Sequence, residues 1–317
     1  MTIKKNLFKN LFASAIVSAF ALGSIAANAA TTDAPPLVTP AWLAQHINDK
    51  NLVVIEVYDH DNQAAEYQAA HVPGAVFTGF LDDKWRLPNG AMPAMLPPQA
   101  DAAKVIGSFG VGNNSRVVLV PGGAKKGDFP AVTRIFWTLK VEGLNNVSIL
   151  NGGDVAWQAD KSDPVATGTI APQPVVFTPH FNASIIATRD MVAGNLKTNA
   201  HQLVDARPVP QFEGKVMAPV DVRSGTVPGA LNLPFSALFT ADNEGVLDTA
   251  ALQAALTKAT VKTTRPTIAF CNTGHLASSD WFVMHELLHM PVRLYDGSMS
   301  EWSRDASLPM VAGKSNF

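Results

Sequence analysis

The chain is poor in several residue types, and each shortage limits the kind of protein it can be. Its 317 residues include one cysteine, and its formal net charge is only −2. A single thiol cannot close a disulfide within the chain. A charge near zero argues against nucleic acid as a partner, because proteins that bind nucleic acid concentrate Lys and Arg. Beyond the N-terminal segment no apolar run is long enough to span a bilayer, so we expect no membrane contact in the mature protein.

The N-terminus has the pattern of a secretory signal peptide. Three lysines at positions 4, 5 and 9 precede an apolar stretch over residues 11–25, and residues 27–29 form a small-x-small cleavage site. The stretch is too short and too rich in Ala, Ser and Gly for a membrane helix. We therefore predict that residues 1–29 are removed and that the protein is exported to a bacterial periplasm. Because that space is oxidising, an unpaired thiol there indicates a reactive group or an intermolecular bond.

The remainder of the chain repeats itself loosely, with a period of roughly 150 residues. Each copy contains an apolar strand, a Val-Pro-Gly-Ala motif, a second strand, a helix pattern and a third strand that ends in a Gly turn. Strands that alternate with helices predict an α/β domain built on a parallel sheet, here present twice. We predict a first domain over residues 30–159, a linker over 160–179 and a second domain over 180–317.

The single cysteine, Cys271, follows a short apolar strand and precedes a polar loop with a glycine and then a helix. At this position a thiol meets backbone N–H groups and the positive end of a helix dipole. Both favour the thiolate, which is the reactive form of cysteine. The sequence therefore predicts a nucleophile rather than a small core residue.

The chain resembles the tandem-domain rhodanese family of thiosulfate and 3-mercaptopyruvate sulfurtransferases. Five segments match the family in order and spacing: 94–97, 146–153, 203–207, 224–234 and 294–302. The resemblance covers the whole mature chain and implies two rhodanese-like domains, each a parallel sheet flanked by helices. It implies that Cys271 takes the outer sulfur of a small anionic donor, such as thiosulfate, as a persulfide. A thiol or cyanide then accepts that sulfur, and no cofactor or metal takes part. The first domain, which lacks a cysteine, is expected to be catalytically silent and to form one side of the site.

The loop from Cys271 to Leu276 has the six-residue length of the sulfur-handling members. Its backbone N–H groups can stabilise both thiolate and persulfide, and its glycine allows a positive φ. The loop lacks the basic residues that are usual in thiosulfate users, and it also lacks the Gly-Ser-Gly-Val run of mercaptopyruvate users. We nevertheless expect thiosulfate or a similar anion as the donor, with 3-mercaptopyruvate less favoured. Arg223 matches a family position and is the candidate anion binder, while the loop histidine is a candidate source of a proton or partial positive charge. The candidate substrate-binding residues are Asn272, Thr273, Gly274, His275, Leu276 and Arg223.

Two alternatives stay open. The neutral loop also suits a periplasmic sulfur carrier that loads a persulfide once and does not turn over. A more remote alternative is a zinc hydrolase, since His285-Glu286-Leu287-Leu288-His289 fits the H-E-x-x-H pattern of zinc proteases. That mechanism requires both histidines on one helical face and a third ligand downstream. However, Pro291 follows almost at once, and few residues remain to supply the third ligand.

Overall fold

Two parallel sheets of five strands each organise the molecule. The computed structural model describes residues 34–122, 128–240, 245, 246 and 248–317, together with Met1. The predicted signal peptide beyond Met1 and the segment 123–127 therefore lie outside the described residues. The fold class predicted from the sequence repeat is confirmed, because both halves contain a parallel sheet with helices around it.

The first half contains a five-stranded sheet and a separate hairpin of β4 and β5. Its strands are β1 (Leu37–Val38), β2 (Leu52–Tyr58), β3 (Val76–Gly79), β4 (Leu87–Asn89), β5 (Met92–Met95), β6 (Arg116–Pro121) and β7 (Val147–Leu150). Its helices are α1 (Pro40–His46), α2 (Ala64–Ala69), α3 (Gln99–Ser108), α4 (Asp128–Val141) and α5 (Gly153–Ala159).

The second half repeats this plan without the hairpin in the described residues. Its strands are β8 (Ile186–Ala187), β9 (Gln202–Asp205), β10 (Leu231–Asn232), β11 (Thr267–Phe270) and β12 (Val292–Tyr295). Its helices are α6 (Arg189–Thr198), α7 (Val209–Phe212), α8 (Thr249–Lys258), α9 (Leu276–Trp281) and α10 (Ser298–Trp302). A π-helix over Phe282–Leu287 continues α9.

Both sheets have the same strand order. The first runs β1-β7-β6-β2-β3, and the second, read from its other edge, runs β8-β12-β11-β9-β10. The central strands are buried on both faces, which explains why they are continuous apolar runs rather than alternating patterns. In each sheet the crossover helices bring the loops after the central strands to one edge, where binding sites of open α/β sheets form.

One apolar core extends across both halves. Helix α4 of the first half lies against α9 of the second and against the π-helix that continues it, where the rings of Phe136 and Phe282 are in edge contact at 5.0 Å between centroids. Hydroxyls also link the two helices, since Thr133 Oγ1 lies 2.8 Å from Ser278 Oγ. Residues 34–317 consequently form one compact unit. The helix that follows the cysteine loop is therefore fixed by the other half of the chain.

Most of residues 160–182 lack helix and strand, in keeping with the predicted linker, although the domain bounds themselves stay a prediction. In the described part of the chain, no helix has the length and apolar character that crossing a membrane requires.

Candidate active site

Cys271 is the first residue after β11, the central strand of the second sheet. Its side chain is buried, with 1 % of its surface exposed. The loop Asn272–His275 follows and leads directly into α9. The strand thus delivers the thiol to the carboxyl edge of the sheet, as the sequence predicts.

Ser298 holds the cysteine loop in place. Its hydroxyl accepts hydrogen bonds from the backbone N–H groups of Cys271 and Gly274, both at 3.1 Å, and donates to the Tyr295 carbonyl at 2.7 Å. Ser298 has a left-handed backbone with φ of 49°, which a residue other than glycine adopts at a cost of roughly 1 kcal/mol or more. The surrounding structure sustains this strain, and the hydroxyl satisfies two buried donors.

The sulfur of Cys271 experiences two opposing effects. Burial raises the pKa of the thiol, while hydrogen bonds from the backbone N–H groups of Ala277, Thr273 and Leu276 lower it. The N–H groups act in the direction predicted from the sequence, but burial is the larger effect and the pKa lies above its ordinary value. The cradle of N–H groups is available to the charge that develops during reaction.

Gly274 has the positive φ predicted for it, at 66°. A Cβ atom there would lie 2.6 Å from Arg134 Nη1 and 2.9 Å from the Asp296 carbonyl oxygen. The glycine is thus required both by the turn of the loop and by the close approach of the first half.

The first half places two arginines beside the loop. Arg134 is fully buried on α4, where it donates to the Gly274 carbonyl at 3.2 Å and forms an ion pair with Asp296 at 2.5 Å. Arg86 precedes β4 and donates from Nη1 to Thr273 Oγ1 at 3.3 Å. Burial, together with the charge of Arg134, lowers the pKa of Arg86 to about 10, so the guanidinium remains protonated at neutral pH. The site is therefore built from both halves.

His275, the last residue of the loop, contacts the first half. Its ring is 5.0 Å from the ring of Phe80, and its Nε2 atom is buried without a hydrogen-bond partner. Burial holds the pKa of His275 well below its ordinary value, and the charges of Arg86 and Arg134 lower it further. The imidazole is therefore neutral at physiological pH. It cannot present the positive charge considered for it, although a neutral ring can still donate one hydrogen bond.

Comparison with known proteins agrees with this geometry. The Rhodanese-like domain family matches residues 39–160 and again residues 188–305. Thiosulfate sulfurtransferase of Mus musculus is 33 % identical over 280 residues, covering 85 % of this chain and 92 % of the mouse protein. The 3-mercaptopyruvate sulfurtransferase of Escherichia coli strain K12 is 31 % identical over 280 residues, with 85 % and 95 % coverage.

The chain belongs to the rhodanese family. A solved relative, the 3-mercaptopyruvate sulfotransferase SseA of Escherichia coli, superposes with a TM-score of 0.71 at 28 % identity, covering 84 % of this chain and 99 % of SseA. Each of the two matched segments of this rhodanese contains four of the five strands of one sheet and leaves out only the edge strand, β1 or β8. The tandem organisation predicted from the repeat is thus confirmed.

The guanidinium of Arg223 is held by backbone carbonyls of its own half in this rhodanese. Its guanidinium donates to four backbone carbonyls, those of Ser303, Leu308, Trp302 and Asp305, at 2.7 to 3.1 Å. Such saturation of its donors fixes the chain after α10 and offers little to a substrate. Among the candidate loop residues, Thr273 and Leu276 direct backbone N–H groups at the Cys271 sulfur, whereas Asn272 donates to Gln211 Oε1 at 2.9 Å.

The H-E-x-x-H segment does not form a zinc-protease helix. Residues Phe282–Leu287 are in a π-helix, which ends before His289, and His289 has a left-handed backbone with φ of 53°. Glu286 is paired with Lys140 at 3.5 Å and with His285 at 3.0 Å. Among the described residues, no group of three or more potential ligands is placed to hold a metal ion. The remote alternative therefore lacks the geometry that its mechanism requires.

Sequence reasoning missed Arg86, Arg134 and Ser298. Ser298 stands within a matched motif and was detectable from it. The two arginines had no sequence signal, because 187 residues separate Arg86 from its loop contact and 140 separate Arg134 from its own.

Proposed function

We propose that this protein is a sulfurtransferase that moves sulfane sulfur from thiosulfate or a similar anion to a thiol or cyanide through a persulfide on Cys271. The observation that carries the proposal is the buried thiol at the centre of three backbone N–H groups, in a loop that both halves hold rigid. The names of the relatives support the reaction class, and they include both thiosulfate and 3-mercaptopyruvate enzymes.

The chemistry proceeds in two steps. Cys271 gives its proton to water, and the thiolate attacks the outer sulfur of thiosulfate. The S–S bond of the donor breaks and its electron pair leaves with sulfite, while a new S–S bond leaves a persulfide anion on Cys271. In the second step the acceptor attacks the terminal sulfur and the thiolate returns. The same N–H groups serve the thiolate and the persulfide anion, since the negative charge moves by one sulfur atom only.

Thiosulfate is the donor that we favour over 3-mercaptopyruvate. The loop side chains Asn272, Thr273 and neutral His275 supply dipoles rather than charge, so the positive charge near the loop comes from the guanidinium groups of Arg86 and Arg134, which suit the oxygens of thiosulfate. Steady-state turnover with cyanide tests this preference, with thiosulfate expected to give the higher kcat/KM. A higher value with 3-mercaptopyruvate would overturn the preference and leave the reaction class intact.

The same assay distinguishes an enzyme from a carrier. A sulfurtransferase forms many equivalents of thiocyanate per protein molecule, whereas a carrier stops after one. The neutral loop is the observation that keeps the carrier as a second candidate. One equivalent of product under excess of both substrates would favour it.

Anion binding by Arg223 and export of the chain remain predictions. Arg223→Ala raises the KM for thiosulfate only if the guanidinium leaves its four carbonyls for the substrate.

We also propose that residues 1–29 are a signal peptide and that the mature protein is periplasmic. N-terminal sequencing of protein recovered from the periplasm tests this, with a start near residue 30 as the expected result and an intact Met1 as the contrary one.

A further inference from the structure

Arg86 stands at the junction of the two halves, on the segment that leads into β4. Its Nη1 atom donates to Thr273 Oγ1 in the cysteine loop, and its guanidinium carbon lies 4.8 Å from the centre of the Phe80 ring. Phe80 in turn contacts His275 at 5.0 Å between ring centroids. The guanidinium is therefore held on an aromatic ring from its own half and directed at a loop from the other.

The two arginines beside the loop differ in how their charge is balanced. Arg134 is fully buried and paired with Asp296 at 2.5 Å, so its charge is neutralised within the protein. Within the described ranges, no carboxylate lies within ion-pair distance of Arg86; Asp59 and Asp296 act on it only at longer range. Arg86 is half-buried, and Cys271 is among the groups whose charge acts on it. Among the described residues, Arg86 is thus a cation beside the thiol that lacks a counter-charge within ion-pair distance.

We propose that Arg86, contributed by the catalytically silent half, binds the oxyanion end of the sulfur donor and thereby selects a doubly charged donor. A guanidinium has five N–H donors, and one bond to Thr273 leaves a fork free to bind two sulfonate oxygens. Bound in this way, the donor can direct its outer sulfur towards Cys271. This inference rests on the proposed sulfurtransferase reaction and assigns its substrate recognition to the first half.

The test compares two donors that deliver the same sulfur but differ in charge, thiosulfate and methanethiosulfonate. For each variant the ratio of their KM values is measured with cyanide as acceptor. Arg86→Gln is expected to raise the KM for thiosulfate about tenfold or more, and that for the monoanion by a smaller factor. The kcat should change less than KM, because the guanidinium holds the leaving end and not the attacking sulfur.

Two further variants make the result specific. Arg86→Lys keeps the charge but loses the planar fork, and should lower the preference for thiosulfate about threefold. Lys84→Gln removes a positive charge from an exposed side chain two residues away and should leave the ratio unchanged. If Arg86→Gln does not fold, Arg86→Lys alone decides.

The possible outcomes separate this inference from the reaction itself. If the ratio of the two KM values in Arg86→Gln equals that of the wild-type protein, the role of Arg86 is overturned, even when all the proteins are active. If Arg86→Gln is unfolded, the same criterion applies to Arg86→Lys. Failure of the wild-type protein to gain a sulfur from either donor overturns the proposed function instead.

Discussion

The two halves of the molecule share one strand order but differ at the edge where a site can form. In each sheet one residue of the central strand is the register partner of a buried acidic residue on the neighbouring strand: Val120 faces Glu56 in the first sheet, and Phe270 faces Asp205 in the second. The next residue of the central strand's chain is Pro121 in the first half and Cys271 in the second. The fold is therefore common to both halves, and the nucleophile depends on one position of it.

The surroundings of that position differ as well. Gly153 and Ser298 begin corresponding helices, α5 and α10, and both have left-handed backbones. Only Ser298 has a hydroxyl, and that hydroxyl fixes the cysteine loop. In the first half, the ring of Tyr58 takes the space in which a side chain at Gly122 would lie. The comparison teaches that this edge of the sheet carries a candidate site in the half where a thiol and a loop fixed by a hydroxyl occur together.

Moving the cysteine to the first half is expected to have the largest effect. The double variant Pro121→Cys, Cys271→Ser should lose persulfide formation entirely. In the first half Gly153 stands where Ser298 supplies its hydroxyl, and the ring of Tyr58 fills the space beside Gly122, the residue after the new cysteine. Mass spectrometry after incubation with thiosulfate measures this. A gain of one sulfur at position 121 would show that the two edges are equivalent and would break the comparison.

The raised pKa of Cys271 predicts a strong pH dependence of persulfide loading. Since only the thiolate attacks and burial favours the thiol, the loading rate should rise with pH, by up to about tenfold per pH unit below the pKa. Single-turnover kinetics between about pH 6 and about pH 9 provide the measurement, with thiosulfate remaining a dianion throughout. A rate that does not vary over this range would mean that the thiol is already ionised at rest.

Ser298 should matter for both activity and stability. Ser298→Ala leaves two buried N–H groups without an acceptor, and we expect kcat to fall about tenfold to a hundredfold. Ser298→Gly also loses the hydroxyl but relieves the left-handed strain, so it should be more stable than the Ala variant by about 1 kcal/mol. Ser307→Ala, at an exposed position, is the control. Full activity in Ser298→Gly would show that the loop needs no hydroxyl.

The first half should show a pH dependence of stability centred on Glu56. Burial, and then the charge of Asp154, raise the pKa of Glu56 from 4.5 to about 8. The folded state thus binds a proton that the unfolded state releases, so the free energy of unfolding should fall between about pH 4.5 and about pH 8, by at most about 1.4 kcal/mol per pH unit.

Denaturant unfolding of wild type and Glu56→Gln over this range measures the effect. The Gln variant should have the flatter profile, whereas Asp190→Asn in the second half should retain the wild-type slope. Equal slopes in all three proteins would contradict a buried, protonated Glu56.

Local and repeated features of the molecule could be predicted from the sequence, and contacts between the halves could not. The apolar strand before Cys271 and the positive φ of Gly274 depend on residues that are adjacent in the sequence, so local patterns are enough to predict them. Arg86 reaches the loop across 187 residues, and only the packing of two sheets reveals it. The resting protonation of Cys271 also escaped prediction, because the balance between burial and N–H contacts depends on how deeply the loop is covered.

Intact-protein mass spectrometry of wild type and Cys271→Ser after incubation with thiosulfate tests the persulfide mechanism most directly. The wild-type protein should gain one sulfur, about 32 mass units, and lose it again when cyanide is added. The Cys271→Ser variant, with its fold checked by circular dichroism, should gain nothing. A cyanide-labile sulfur on the variant, or none on the wild-type protein, would contradict sulfur transfer through Cys271.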